Sequence, residues 1–310
     1  MKVQKESLRR KKTFFFLHRA ILFFLRQPII RNITPDKWYL SIIYYILVGK
    51  ELNLDNPSSL NEKIQWLKLN DFKSEYTQMV DKYQVRKYVA ERIGEEHLIP
   101  LIGGPWDNFE EINFELLPNK FVLKCTHDSG GVVICSDKSK FDKSSAREKI
   151  NNSLNRNYYW GGREKVYKDI KPRIIAETYL VDDDGTELND YKIMVFNGKA
   201  KCSFVCSERF TEESLKVTFF DLDWNKMPFE RRYPKSSILI NRPQSYELMI
   251  QLAEILADGI PFNRVDFYEI KGHVYFGEMT FYPGGGLECF NPEEWDNILG
   301  GWLELPTENE

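Results

Sequence analysis

Apolar residues recur at helical spacing through the first quarter of the chain. In "NPSSLNEKIQWLKLND", Leu60, Ile64 and Leu67 fall on one face, and Ser59 with Glu62 has the spacing of a capping box. "DKYQVRKYVAERIGEEHLIP" repeats the pattern, with Val85, Val89 and Ile93 as buried stripe, Asp81 as cap and Gly94 as stop. Packing does not explain Lys82, in the first turn of that helix. Residues 1–75 read as helical. Further along, the pattern turns to short strands. "NKFVLKCTHDSGGVVICSD" is a strand, a glycine-containing turn and a strand. "RIIAETYLVDDDGTELNDYKIMVFNGKAKCSFVCS" adds three strands, with "DDDG" and "NG" as turns. "PQSYELMIQLAEILADGIPF" is an amphipathic helix with Ser245 as cap and Gly259 at its stop. Strands and helices segregate instead of alternating, which predicts an α+β fold.

The last hairpin, "RVDFYEIKGHVYFGEMT", carries a conflict. A three-residue loop Lys271–His273 sets Ile270 opposite Val274, Tyr268 opposite Phe276, Asp266 opposite Glu278 and Arg264 opposite Thr280. Two carboxylates with Cβ atoms about 5 Å apart repel unless positive charge sits between them. Arg264, a divalent cation, or both can supply it. Carboxylate oxygens and a hydroxyl suit Mg²⁺, which completes its shell with water and substrate phosphates and so points to a nucleotide. A register slipped by one residue would instead leave the acids on opposite, solvated faces. "FVLKCTHDSGGVVIC" offers a phosphate site: Lys124 ends a strand, and Gly130 and Gly131 let backbone amides approach an anion. The same stretch also reads as an ordinary hairpin turn, and it is no Walker A loop.

Charge narrows the partners. The 310 residues hold 43 Lys and Arg against 46 Asp and Glu, a net charge of -3, so no nucleic-acid partner is demanded. Five cysteines, an odd number without paired CxxC motifs, fit reduced thiols. Cys202 and Cys206 share one face of a strand, as small buried apolar residues do. "RRKKTFFFLHRAILFFLRQPII" joins a basic run to an apolar one that His18, Arg19 and Arg26 interrupt, too broken to span a bilayer. It lacks the uninterrupted apolar core and cleavage site of a signal peptide. Two readings fit: a helix packed on the main body, or a basic amphipathic helix in residues 1–30 lying on an anionic membrane. A cytoplasmic protein is expected, free or at the inner face of the membrane.

Taken in order, "DKYQVRKYVAERIGEEHLIP", "FVLKCTHDSGGVVIC", "IIAETYL", "NDYKIMVFNGK" and "RVDFYEIKGHVYFGEMTFYPGGG" resemble the ATP-grasp superfamily. "LNEKIQWLKLND", "CTHDSGG", "DYKIMVFNGK" and "YFGEMTFYPGGG" look like its TupA-like branch, named for a teichuronopeptide biosynthesis protein. The resemblance implies two α+β lobes, residues 76–180 and 181–310, holding ATP between antiparallel sheets behind a helical region 1–75. By resemblance, Lys82 and Lys124 contact ATP phosphates, and Asp128, Ser129, Gly130 and Gly131 close over them. Glu177 and the backbone of Thr178 and Leu180 read the adenine, Asp190 takes the ribose, and Lys192 faces phosphates or substrate. Asp266 and Glu278 bind magnesium, and Arg264 stabilises charge at the reacting centre. Thr280 stands where the superfamily usually has Asn, and "VDDDGTELN" makes the spacing from Glu177 to Asp190 long.

The implied chemistry joins a carboxylate to an amine through an acyl phosphate, with Arg264 and Gly284, Gly285 and Gly286 stabilising the oxyanion. The TupA-like branch implies a uronic-acid or amino-acid-chain carboxylate in surface-polysaccharide synthesis, with an amine as second substrate. "NYYWGGREKVYKDIKP" reads either as an exposed loop or as an acceptor site using Tyr159, Trp160, Arg163 and Tyr167. Asp221 and Asp223 in "FFDLDWN" keep a nucleotide-sugar glycosyltransferase in view, although the stretch also reads as a turn. A glycan kinase and a non-catalytic nucleotide-binding scaffold complete the alternatives.

Overall fold

A computed structural model describes residues 20–181, 188–208 and 215–307. The "DDDG" turn and residues 1–19 of the N-terminal segment lie outside the described residues. The strands among the described residues run β1 (Leu101–Trp106), β2 (Phe121–Cys125), β3 (Val132–Cys135), β4 (Ile174–Thr178), β5 (Asp190–Phe196), β6 (Lys199–Ser207), β7 (Lys216–Phe220), β8 (Glu230–Arg231), β9 (Phe262–Ile270), β10 (His273–Thr280) and β11 (Phe290–Asn291). They form antiparallel sheets in the orders β1-β4-β2-β3 and β10-β9-β5-β6-β7, with β11-β8 as a small ribbon. The mixed, segregated α+β architecture is the one expected.

Each large sheet has its own core. The helix Lys143–Leu154 packs Ala146 and Ile150 with Leu123, Cys125 and Ile174 of the first sheet. The helix Tyr246–Leu256 packs Met249 and Leu252 with β5, β6 and β9 of the second. That second core also takes Leu60, Ile64 and Leu67, so the helix Leu60–Asn70 belongs physically to the larger sheet. β5 is buried along its whole length because β6 and β9 flank it. A strand so placed has no solvated face, which makes its two charged residues, Asp190 and Lys192, conspicuous.

Local chemistry sets the helix ends. The Glu62 amide donates to Ser59 Oγ at 3.2 Å while Glu62 Oε2 accepts from the Ser59 amide at 3.1 Å, closing the expected capping box. Asp81 does not cap the helix as expected: it accepts from the amides of Tyr83 and Gln84 in the turn ahead of Val85–Ile93, whose N-cap is Gln84, and Gly94 ends that helix at φ 103°. Ser245 departs from expectation. It sits at the N-cap, but its hydroxyl donates to the Gly272 carbonyl at 2.6 Å and ties the helix to the last hairpin. The helix Glu294–Gly301 crosses the Ser59 cap through Gly300, where a Cβ would lie 2.2 Å from the Ser58 carbonyl oxygen and 2.7 Å from the Leu60 nitrogen. Gly300→Ala should therefore lower stability by about 3 kcal/mol, the upper end of overpacking, read as a shift in the urea midpoint at constant slope. An unshifted midpoint would refute the close approach.

The hairpin corrects part of the sequence reading. Its turn has two residues, Lys271 and Gly272 at φ 53° and 75°, so Ile270 faces His273 and Tyr268 faces Tyr275. The pairs Ile270–Val274 and Tyr268–Phe276 are not made, because a two-residue turn with both φ positive matches the strand twist better than a three-residue loop. A bulge at Gly277 then restores the frame, and Asp266 faces Glu278 as expected, with Arg264 opposite Thr280. A Cβ on Gly277 would lie 3.1 Å from the Asp266 carbonyl oxygen and 3.2 Å from the Tyr268 ring. A side chain there would crowd the bulge.

Candidate active site

The second sheet assembles a row of charges by register alone. Lys192 on β5 pairs with Asp266 on β9, which pairs with Glu278 on β10. Residues two apart share a face, so Asp190, Arg264 and Thr280 stand beside that row. Arg264 answers the repulsion between the two acids. Its Nε donates to Asp266 Oδ1 at 2.6 Å, and its Nη2 donates to Asp266 Oδ2 at 2.7 Å and to Glu278 Oε1 at 2.8 Å. Lys192 also pairs with Asp266 and reaches Asp190 Oδ2 at 2.7 Å. Thr280 donates its hydroxyl to Glu278 Oε1 at 3.3 Å.

The two acids respond differently. Burial pushes Asp266 up, to about 6, against the pull of Arg264 and Lys192. Burial also opposes ionisation of Glu278, but Arg264, Lys82 and Lys192 outweigh it and hold that carboxyl below its usual range. Lys192 is held above the usual lysine range because Asp190 and Asp266 outweigh burial. The Glu278 side chain is 37 % exposed where that of Asp266 is 2 %, so Glu278 is the member that meets the cleft. Hard carboxylate oxygens fit Mg²⁺. No cluster of three or more His, Cys, Asp and Glu ligands forms among the described residues. The pair would thus hold the ion together with water and phosphate oxygens.

A cleft of about 770 Å³ lies over the Glu278 end of this row, and Asp266 does not line it. Lys82, Asp128, Ser129, Tyr167, Arg264, Glu278, Thr280, Gly284 and Gly285 share its wall. Lys124, Glu177, Asp190 and Lys192 do not line it. Lys124 instead pairs with Glu177 Oε2 at 2.6 Å, and Arg86 reaches Glu177 Oε1 at 3.2 Å, forming a second polar cluster at the first sheet. The Thr178 amide is committed to the Pro100 carbonyl at 3.0 Å. Leu180 follows β4, one residue before a gap in the described chain.

The turn after β2 is pinned from within. Asp128 accepts from the Gly131 amide at 3.1 Å and from the Ser153 hydroxyl, and its own carbonyl accepts from Lys82. His127, unremarked in the sequence, meets the Ser153 and Arg156 carbonyls through Nε2 at 3.1 Å. The Gly131 amide is therefore spent inside the protein, and a Cβ there would strike Ser153 and Cys125. Ser129 and Gly130 form the exposed tip.

One expectation for the acceptor side changes. Arg163 is 2 % exposed, ion-paired with Asp36 at 3.4 Å, donating to the Arg31 carbonyl at 2.6 Å and stacked 4.4 Å from the Tyr39 ring. Its guanidinium is occupied by the N-terminal helices, so it does not offer itself to a substrate carboxylate. Lys68 was missed. It is fully buried, and its Nζ donates to the carbonyls of Gly162 at 3.0 Å and Gly285 at 2.6 Å. A lysine on the apolar stripe of Leu60, Ile64 and Leu67 was the available signal. Gln65 donates to the Gly285 and Gly286 carbonyls at 2.8 and 2.7 Å. Gly284, Gly285 and Gly286 all have φ near 60° (61°, 63° and 62°), a run that only glycine makes readily. Asp221 spends both carboxylate oxygens on Asn225, at 2.8 and 3.0 Å, closing its own turn.

Two antiparallel sheets with a lysine- and carboxylate-bearing cleft define an ATP-grasp protein. The chain belongs to the TupA-like ATP-grasp family, whose model matches residues 62–304. Among curated proteins no sequence matches. Solved structures resemble it distantly. D-alanine–D-alanine ligase from Bacillus anthracis, complexed with ATP, is 15% identical over 66% of this chain and 54% of its own, at TM-score 0.36. The ATP-grasp ligase PsnB, complexed with minimal precursor, Mg and ADP, is 9% identical over 71% and 57%, at 0.38. N5-carboxyaminoimidazole synthase from Aspergillus clavatus, in complex with ADP and a ribonucleotide, is 12% identical over 66% and 44%, at 0.40. The chain spans about half the length of these proteins.

Proposed function

We propose that the protein is an ATP-dependent carboxylate–amine ligase that forms an amide through an acyl phosphate. The carrying observation is Arg264, bridging Asp266 and Glu278 beside Lys192 and next to a cleft that Lys82 enters. Magnesium, held by Asp266 and Glu278, would neutralise phosphate charge. A substrate carboxylate oxygen attacks the γ-phosphorus, the bond to the ADP oxygen breaks, and the carboxylate leaves as an acyl phosphate. An amine nitrogen then attacks the acyl carbon and loses its proton to solvent, and phosphate departs. Lys82 orients anionic groups, Lys192 holds Asp266 in place behind the cleft wall, and Arg264 faces the charge that develops in both steps. The backbone of Gly284 and Gly285 lines the same wall.

The carboxylate is proposed to be that of a uronic acid, or of an amino-acid chain, in a surface polysaccharide. Tyr158, Trp160 and Tyr167 on the cleft wall supply stacking faces for sugar rings, and Arg156 and Arg232 supply positive charge. Incubation with Mg²⁺-ATP, uronic acids and amines should release ADP and an amide in equal amounts. ADP with a phosphorylated glycan and no amide would make the protein a kinase. Turnover of a nucleotide sugar without ATP would overturn the ligase.

A further inference from the structure

The N-terminal helices carry apolar side chains that nothing in the described fold covers. Residues 20–26, Pro28–Ile33 and Asp36–Val48 are helical, and their inner side packs Leu25, Tyr39, Leu40 and Ile43 together. Their outer side leaves Phe23 63 %, Phe24 58 %, Ile29 78 %, Ile33 74 % and Trp38 69 % exposed. Isolated exposed apolar residues need no explanation, but five within 16 residues do. The charge is equally one-sided. Residues 1–37 hold ten Lys and Arg against Glu6 and Asp36, in a chain whose net charge is -3. Asp36 is already paired with Arg163 and Tyr159. The sequence ahead of residue 20 contains "RRKK" and "FFFL". No described helix is long and apolar enough to cross a membrane.

We propose that residues 20–38 seat the protein on an anionic lipid bilayer. The aromatic and isoleucine side chains enter the acyl boundary, and Arg26, Lys37 and the basic run before residue 20 meet lipid phosphates. A second copy of the chain fits less well, because two such basic faces would repel. The same stretch contributes Arg26 and Arg31 to the cleft wall, with Arg31 stacked 4.6 Å from the Trp160 ring. The acceptor side of the cleft therefore opens at the bilayer, suited to an acceptor held on a lipid; that consequence rests on the ligase reading, whereas the seat does not.

Full-length protein is co-sedimented with phosphatidylcholine vesicles, with and without phosphatidylglycerol, at low and high salt. Binding should require phosphatidylglycerol and weaken with salt. A variant with Phe23, Phe24, Ile29, Ile33 and Trp38 all changed to Ser should partition about tenfold less with an unchanged circular dichroism spectrum, since these side chains are exposed. Wild-type protein that ignores phosphatidylglycerol, or a variant that binds equally well, would overturn the seat. So would a concentration-dependent dimer in light scattering that the variant abolishes. Vesicle binding without any ligase activity would leave the seat standing and reject only the ligase.

Discussion

Arg264→Met is expected to lower ATP turnover by about 10²–10³-fold, the loss seen when one donor to developing charge is removed. It should also destabilise the fold by about 3–5 kcal/mol, because Asp266 and Glu278 would then face each other across β9 and β10 with Lys192 as their nearest remaining cation. Arg264→Lys should recover stability more than activity. An ammonium neutralises charge but cannot reproduce the forked contacts at 2.6 and 2.7 Å. Adding Asp266→Asn to Arg264→Met should restore part of the stability without restoring turnover. Steady-state kinetics and urea unfolding of the three variants decide this. Turnover by Arg264→Met within a few-fold of wild type would reduce Arg264 to a structural ion pair.

Lys68→Met should cost about 3 kcal/mol, with a pH dependence whose sign is set by Glu164. Burial raises the Glu164 carboxyl above 4.5, and Lys68 partly offsets this; burial lowers Lys68 to about 8. A carboxyl with a raised pKa contributes stability that is fully present below 4.5 and is lost as pH rises through its folded value. Without Lys68 that value rises further and the loss grows. The deficit of the variant should be smallest near pH 4 and grow as pH rises to neutral. Above pH 8 wild type gains further as Lys68 sheds its proton, a gain the variant lacks. Lys68→Met/Glu164→Gln should be close to neutral, since a removed pair leaves no orphan charge. The single variant also frees the Gly162 carbonyl and leaves that of Gly285 to Gln65 alone, so KM for the carboxylate should rise more than kcat falls. A deficit independent of pH would exclude the Glu164 coupling.

Much of the fold was legible because local rules carried it. The Ser59–Glu62 box, the Gly94 stop and the Asn197-Gly198 turn depend on neighbours within a few residues, and all formed. The hairpin shows both sides of that rule. The acid pair was legible from strand alternation, yet the loop length was not, and the two met only because a bulge at Gly277 cancelled the error. Arg163 and Asp128 show what misleads. A guanidinium or carboxylate in a glycine-rich loop suggests a ligand, but each is bound by a segment distant in sequence, Asp36 for one and Ser153 for the other.

By itself the sequence determined the order of helices and strands, their segregation along the chain and the facing of Asp266 and Glu278. These follow from periodicities of 3.6 and 2, which need no knowledge of distant contacts. Tertiary structure alone decided which charges are spent and which are free. It set Lys192 against Asp266 and Asp190, closed Lys124 onto Glu177, and buried Lys68 beneath the triple glycine turn. Apart from the Lys192–Asp190 contact within β5, each depends on strands or helices far apart in the chain coming within 3 Å or so, where desolvation and Coulomb attraction are both large. The N-terminal stretch divided the same way. Its basic and apolar character was plain in the letters, but only packing decided that Leu25 turns inward while Phe23, Phe24 and Trp38 stay outside.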